Sequence, residues 1–107
     1  KAAMTKQSYT SIINKWLRNI KDVYRLYRND LEAIADIEQR TDKLVELNVQ
    51  EQVNNLAKTS IIQKSWKQYE RPHIHGWVYG LKDGLLKSVF EMKPNTHIDD
   101  IYEYENL

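Results

Sequence analysis

The segment from Ile74 to Leu86 reads Ile-His-Gly-Trp-Val-Tyr-Gly-Leu-Lys-Asp-Gly-Leu-Leu, and it decides the fold prediction. Val and aromatic residues at positions 77–79 favour a β-strand that begins at Ile74 and ends at Tyr79. Strand alternation assigns the side chains to two faces: Ile74, Gly76 and Val78 on one, His75, Trp77 and Tyr79 on the other.

A turn follows this strand at residues 82–84, Lys-Asp-Gly, where Gly84 can adopt the left-handed conformation that such a loop requires. Leu85 to Phe90 then returns as a second strand, so the sequence predicts a β-hairpin. A lone two-stranded ribbon is only marginally stable. Gly76 inside a strand also predicts the close approach of another backbone. The hairpin is therefore expected to extend a larger sheet whose other strands lie outside this chain.

Two helical blocks precede the hairpin. From about Tyr9 to about Ile37, apolar residues recur at steps of three and four, which is typical of an amphipathic helix. Ser8 or Ser11 can cap its start, and a break near Asn29-Asp30 would divide it into two helices. The second block runs from about Thr41, with Thr41 or Asp42 as N-cap, to about Trp66.

Pro72 ends the helical character after the second block. The tail from Pro94 to Leu107 is acidic and aromatic, which predicts a short surface helix or an arm. With 107 residues, the chain is long enough for one domain or for a piece of a larger one. It begins Lys1-Ala2-Ala3-Met4, without the apolar stretch of a signal peptide. Because Met is not the first residue, we expect a fragment.

Composition excludes several classes of function. Sixteen Lys and Arg balance fifteen Asp and Glu, so bulk charge predicts neither nucleic-acid binding nor adhesion to an anionic membrane. No apolar run approaches the roughly 18 residues of a membrane span. The chain contains no cysteine, which excludes disulfides, a thiolate zinc site and a thiol nucleophile within it. A cytoplasmic location is compatible with this composition.

Asn48 and Gln52 stand four residues apart in the second helical block, beside Val49 and Val53. Buried polar groups need hydrogen-bond partners. One interpretation is that the two amides bond each other or cap loops. The alternative is that they brace a neighbouring active-site segment.

His73 and His75 form a His-x-His on the first strand, with both imidazoles on one face about 7 Å apart. Zinc would need a third protein ligand, and His97 is distant in sequence. Exposed or hydrogen-bonded strand histidines are the competing interpretation. The sequence also lacks a nucleophile elbow, a spaced carboxylate pair and a Gly-rich phosphate loop.

Three stretches, in order along the chain, resemble the β-class carbonic anhydrases. The first is the Trp-Leu-Arg-x-Ile-Lys-Asp-Val-Tyr sequence within Ile13 to Tyr27. The second is Glu-Leu-Asn-Val-x-Glu-Gln-Val-x-Asn-Leu from Glu46 to Leu56, which continues to Trp66. The third is the hairpin from Ile74 to Leu86. Together they cover most of residues 12–90.

This resemblance implies an α/β fold: two long helices, either continuous or broken, and a hairpin that extends a mainly parallel sheet. Residues 1–107 would be one partial domain, the C-terminal part of the enzyme, with 94–107 as a tail or arm. The parent would be a zinc lyase that interconverts carbon dioxide and bicarbonate and works as a homo-oligomer, a dimer or tetramer. The family's Cys, Asp, His and Cys ligands lie upstream of the matched stretch, so no catalytic or metal-binding residue, and no bound cofactor, is expected in this chain alone.

The resemblance also implies roles for individual residues of this chain. In a bacterial subset of the family, the tyrosine at the position of Tyr79 belongs to an inhibitory bicarbonate site, which makes Tyr79 a bicarbonate-binding candidate. The structural motif residues expected from the matched stretches are Asn48, Gln52, His75, Gly76, Trp77 and Gly84. The leading hypothesis is an inactive piece of an enzyme. The rivals are a non-catalytic interaction module that keeps the family's dimer surface, and a metal-binding protein that uses His73 and His75.

Overall fold

The computed structural model describes Met4 and residues 17–107. The predicted helix start from Tyr9 to Trp16, with the candidate caps Ser8 and Ser11, lies outside the described residues. The chain forms two compact units, Lys1–Asn48 and Val49–Leu107. Along the part of the chain that is described, no helix is both long and apolar enough to cross a bilayer.

The described part of the first unit consists of helices. Helix α1 spans Arg18–Leu26 and α2 spans Arg28–Glu32. The predicted break is confirmed, but it falls at Tyr27, not at Asn29-Asp30, which lie inside α2. The backbone hydrogen bonds continue across it, since Tyr27 N–H donates to Val23 O at 3.1 Å and Leu31 N–H donates to Tyr27 O at 3.0 Å. The break is therefore a departure of one residue from helical dihedral angles.

Helix α3 spans Ile37–Ala57 and begins four residues earlier than the sequence predicts. Asp36 is the cap: its Oδ2 accepts a hydrogen bond from Gln39 N–H at 3.1 Å, the geometry of an N-cap carboxylate. Thr41 lies inside the helix, where its hydroxyl donates to Ile37 O at 2.8 Å. The prediction of Thr41 or Asp42 as the cap is therefore wrong.

The predicted second helix is also interrupted. Helix α4 spans Ser60–Tyr69, and Lys58 and Thr59 separate it from α3. The Thr59 hydroxyl donates to Leu56 O at 2.7 Å and accepts from Ile62 N–H at 3.4 Å. One side chain thus ends α3 and begins α4. Helix α4 continues three residues beyond the predicted end at Trp66.

The hairpin is confirmed. Strand β1 spans Ile74–Tyr79 and pairs antiparallel with β2, Leu86–Met92. Gly84 has a φ of 69°, in the left-handed region predicted for the turn. Strand β2 starts one residue later and ends two residues further than predicted, because Met92 and Glu91 pair with Ile74 and His75. These two strands form an antiparallel sheet, and the parallel sheet stays a prediction.

Each unit has its own apolar core. In the first, buried side chains of α1, α2 and α3 pack together: Val23, Leu31, Leu44 and Leu47. In the second, α3, α4 and the hairpin bury Val53, Ala57, Trp66, Ile74 and Met92. After β2 the tail forms a 3₁₀ turn at Asp100–Tyr102, which agrees with the predicted short surface helix.

Candidate functional site

The outer face of the hairpin carries a row of exposed ring side chains. The alternation predicted for β1 is confirmed, since Ile74 and Gly76 are buried while His75, Trp77 and Tyr79 are exposed. The His75 ring centroid lies 6.4 Å from the rings of both His73 and Trp77. Trp77 and Tyr79 keep 55% and 56% of their surface exposed. This row is an open surface, and it includes the bicarbonate candidate Tyr79.

The inner face of the hairpin packs on α3 at Gly76. A methyl group added there would collide with Val49 Cγ1 and lie 3.1 Å from Val53 Cγ2. Gly76 thus allows two side chains of α3 to approach the strand closely, whereas the sequence predicted the close approach of another backbone. The backbone oxygen of Phe90 on the paired strand is further away, at 3.6 Å. Close helix–strand packing is what requires the absence of a side chain at position 76.

The amides of Asn48 and Gln52 do not pair as the simpler interpretation expects. Asn48 Oδ1 is buried and has no hydrogen-bond partner among the described residues, while Gln52 is exposed. An unpaired buried acceptor costs about 1–3 kcal/mol. Whether Asn48 braces a neighbouring segment of a longer protein stays a prediction.

The residues present do not fit a thiolate zinc centre. The whole sequence lacks cysteine. Within the described ranges, His73 and His75 have no third ligand close enough to complete a metal site. One other group of potential ligands does come together, namely His97, Asp100 and Glu103, all exposed.

Gln63 is a structural residue that the sequence analysis missed. It is buried, and its Nε2 donates to Ala57 O at 3.1 Å and to Tyr102 O at 2.9 Å. Its Oε1 accepts from Tyr104 N–H at 3.1 Å. The spacing could have predicted its burial, because a residue three positions before the apolar Trp66 lies on the same side of α4.

A groove lies beside this anchor, between α4 and the tail. Its volume is about 340 Å³. Its lining includes Trp66 and Lys67 of α4 and residues of the tail, among them His97 and Glu103. Polar and charged residues of the tail, which the sequence predicted to be a short surface helix or an arm, thus lie against α4 in the second unit.

Comparison with known proteins gives a consistent result. Residues 1–86 match the carbonic anhydrase family. A carbonic anhydrase of Emericella nidulans is 48% identical over 96 residues, which are 90% of this chain and 42% of that protein. The structure of a β-carbonic anhydrase from Coccomyxa, in complex with acetazolamide, superposes with a TM-score of 0.75 and 28% identity, over 86% of this chain and 42% of that one.

The chain thus spans less than half the length of the relatives that it matches. The family match covers both helical blocks and most of the hairpin, which are the three stretches that carry the resemblance in the sequence. The chain belongs to the carbonic anhydrase family, and the similarity in sequence and structure assigns it to the β class.

Proposed function

We propose that this chain is the C-terminal part of a zinc-dependent carbonic anhydrase, which interconverts carbon dioxide and bicarbonate. The observation that carries the proposal is the family match over residues 1–86 together with 48% identity to a carbonic anhydrase. The zinc ligands would come from the upstream part of the longer protein, since no cysteine is present here. A cytoplasmic location is part of the same proposal.

In this proposal the chain contributes structure and no catalytic group. The tight contact of Gly76 with Val49 and Val53 supports this role, because it fixes the hairpin against α3. The exposed row on the opposite face, with Leu86 beside Tyr79 in the pairing register, offers apolar surface for the rest of the protein and for a second subunit of a homo-oligomer. Without those partners the chain would be inactive.

The decisive experiment compares the isolated chain with the full-length protein. Carbon dioxide hydration is measured by stopped flow at equal protein concentration, with zinc content measured in parallel. We expect the full-length protein to be active and to hold zinc through upstream Cys and His residues, while the 107-residue chain gives the uncatalysed rate. Catalysis by the chain alone, or a zinc-free and inactive full-length protein, would refute the proposal.

A non-catalytic interaction module is the second candidate. It is favoured by the exposed apolar surface of the hairpin, where Leu85 and Leu86 keep 65% and 60% of their surface exposed. The same experiment separates the two candidates. A module would lack the upstream ligands and activity even at full length, and it would retain self-association.

A further inference from the structure

The tail that carries His97, Asp100 and Glu103 is fixed to the second unit at both ends of the cluster. Ile98, next to His97, packs against the apolar core formed by α3, α4 and the hairpin. On the other side, Gln63 hydrogen-bonds Tyr102 O and Tyr104 N–H, the backbone groups that flank Glu103. The three side chains therefore project from a backbone that tertiary contacts hold in place, not from a free terminus.

The backbone between these anchors directs the two carboxylates to one side. Asp99 Oδ1 accepts from Ile101 N–H at 3.1 Å and starts the 3₁₀ turn. Glu103 N–H donates to Asp100 O at 3.1 Å and closes it. Glu103 is the residue that directly follows the turn, and its carboxylate lies within 4.8 Å of that of Asp100.

The ligand atoms of the three residues all lie within 4.8 Å of one another. Zinc ligands at the usual bond length of about 2.0–2.2 Å in a tetrahedral site are roughly 3.3 Å apart. Rotation of exposed side chains can close the difference of about 1.5 Å. No movement of the anchored backbone is required.

Charge gives an independent reason to expect a cation. Among the described residues, neither Asp100 nor Glu103 forms an ion pair with a basic side chain. Two lysines lie near this turn: Lys58 stands over the Tyr102 ring, 4.1 Å from its centroid, and Lys67 lines the same groove as Glu103. Two close carboxylates without a counter-ion repel each other, and a divalent cation removes that cost.

We propose that His97, Asp100 and Glu103 form a binding site for a divalent transition metal of the zinc type. The imidazole favours zinc over magnesium or calcium, which prefer oxygen ligands alone. The groove of about 340 Å³, lined by His97 and Glu103, leaves room for water or an anionic ligand at the remaining position. The site shares no residue with the proposed catalytic centre and does not depend on carbonic anhydrase activity.

The test is a calorimetric titration of the 107-residue chain with zinc at neutral pH, with magnesium as the comparison. We expect one equivalent of zinc to bind and magnesium not to compete. His97→Ala should abolish binding. Asp100→Asn and Glu103→Gln should each raise Kd at least about tenfold, since loss of even an outer-shell partner costs 10–100-fold.

The matched control is the double variant His73→Ala/His75→Ala, which removes the other two histidines of the same unit. It should bind zinc as the unchanged chain does. Circular dichroism of each variant establishes that its helix content is retained. In the full-length protein, His97→Ala should lower the metal content by one equivalent per chain without loss of the catalytic zinc. The proposal would be overturned if the unchanged chain showed no saturable zinc binding. It would also be overturned if His97→Ala still bound zinc, or if the double variant did not.

Discussion

The side-chain amide of Gln63 in α4 holds the backbone of Tyr102, 39 residues later, through a hydrogen bond of 2.9 Å from Nε2 to the Tyr102 carbonyl. The same amide satisfies Ala57 O at the end of α3 and Tyr104 N–H in the tail. All the polar atoms of this buried side chain are thereby used. One side chain thus joins α3 and α4 to the C-terminal segment within the second unit.

Gln63→Ala should lower the free energy of unfolding of the second unit by about 1–3 kcal/mol, because it leaves Ala57 O and Tyr102 O without their donor. Hydrogen exchange at Tyr104 N–H should also become faster, since its acceptor is gone. Denaturant titration and exchange monitored by NMR measure the two effects. Gln68→Ala, at an exposed position of the same helix, is the control and should change neither. Equal effects of the two substitutions would contradict the anchoring role.

Gly76→Ala should destabilise the second unit by about 1–3 kcal/mol, the usual cost of overpacking. The added methyl group would collide with Val49 and crowd Val53. If this contact is the cause, Val49→Ala should recover part of the loss in the double variant, with a coupling of at least about 0.5 kcal/mol. Chemical denaturation of the two single variants and the double variant measures it. If the losses of stability of the two single variants simply add in the double variant, the contact with Val49 is not the cause of the destabilisation by Gly76→Ala.

Asp36→Ala should lower helical stability in the first unit by about 1 kcal/mol, because the side chain caps α3 through Gln39 N–H. Thr41→Ala should be neutral or slightly stabilising, since alanine has the higher helix propensity and Thr41 only bonds back to Ile37 O. Thermal unfolding followed by circular dichroism compares the two. A larger loss of thermal stability for Thr41→Ala than for Asp36→Ala would instead support Thr41 as the cap, as predicted from the sequence.

Tyr79→Phe tests the proposed bicarbonate site: in the full-length protein proposed above, it should raise the concentration of bicarbonate needed for inhibition about tenfold, because the anion would lose a hydrogen bond from the hydroxyl. Carbon dioxide hydration measured at increasing bicarbonate tests this. Tyr69→Phe changes another exposed tyrosine and should leave the inhibition curve unchanged. Identical curves for Tyr79→Phe and the unchanged enzyme would remove Tyr79 from regulation.

The isolated chain should self-associate through the exposed hairpin face, because large apolar patches left in water drive association. Leu86→Lys should reduce the mass measured by light scattering towards that of one chain. Ile61→Lys, at a helix position that is 79% exposed, should have a smaller effect. A monomer at all concentrations in the unchanged chain would count against the interface.

Local features were predictable where a short-range signal controls them. The bounds of β1, its two faces and the left-handed Gly84 follow from alternation and turn chemistry, and the structure confirms them. The helix boundaries at Asp36 and Thr59 were missed because the apolar periodicity continues through both caps. Periodicity predicts that a helix exists more reliably than it predicts where a helix ends.

The sequence by itself determined the family, since three motifs in order identify it without any coordinates, and it determined the hairpin through Gly84 and strand alternation. Tertiary structure alone decided what Gly76 and Gln63 do. A glycine in a strand does not reveal which atoms approach it, and a glutamine in a helix does not name acceptors some forty residues away. The cluster of His97, Asp100 and Glu103 also needed the fold, because Gln63 and Ile98 fix the backbone from which those side chains project.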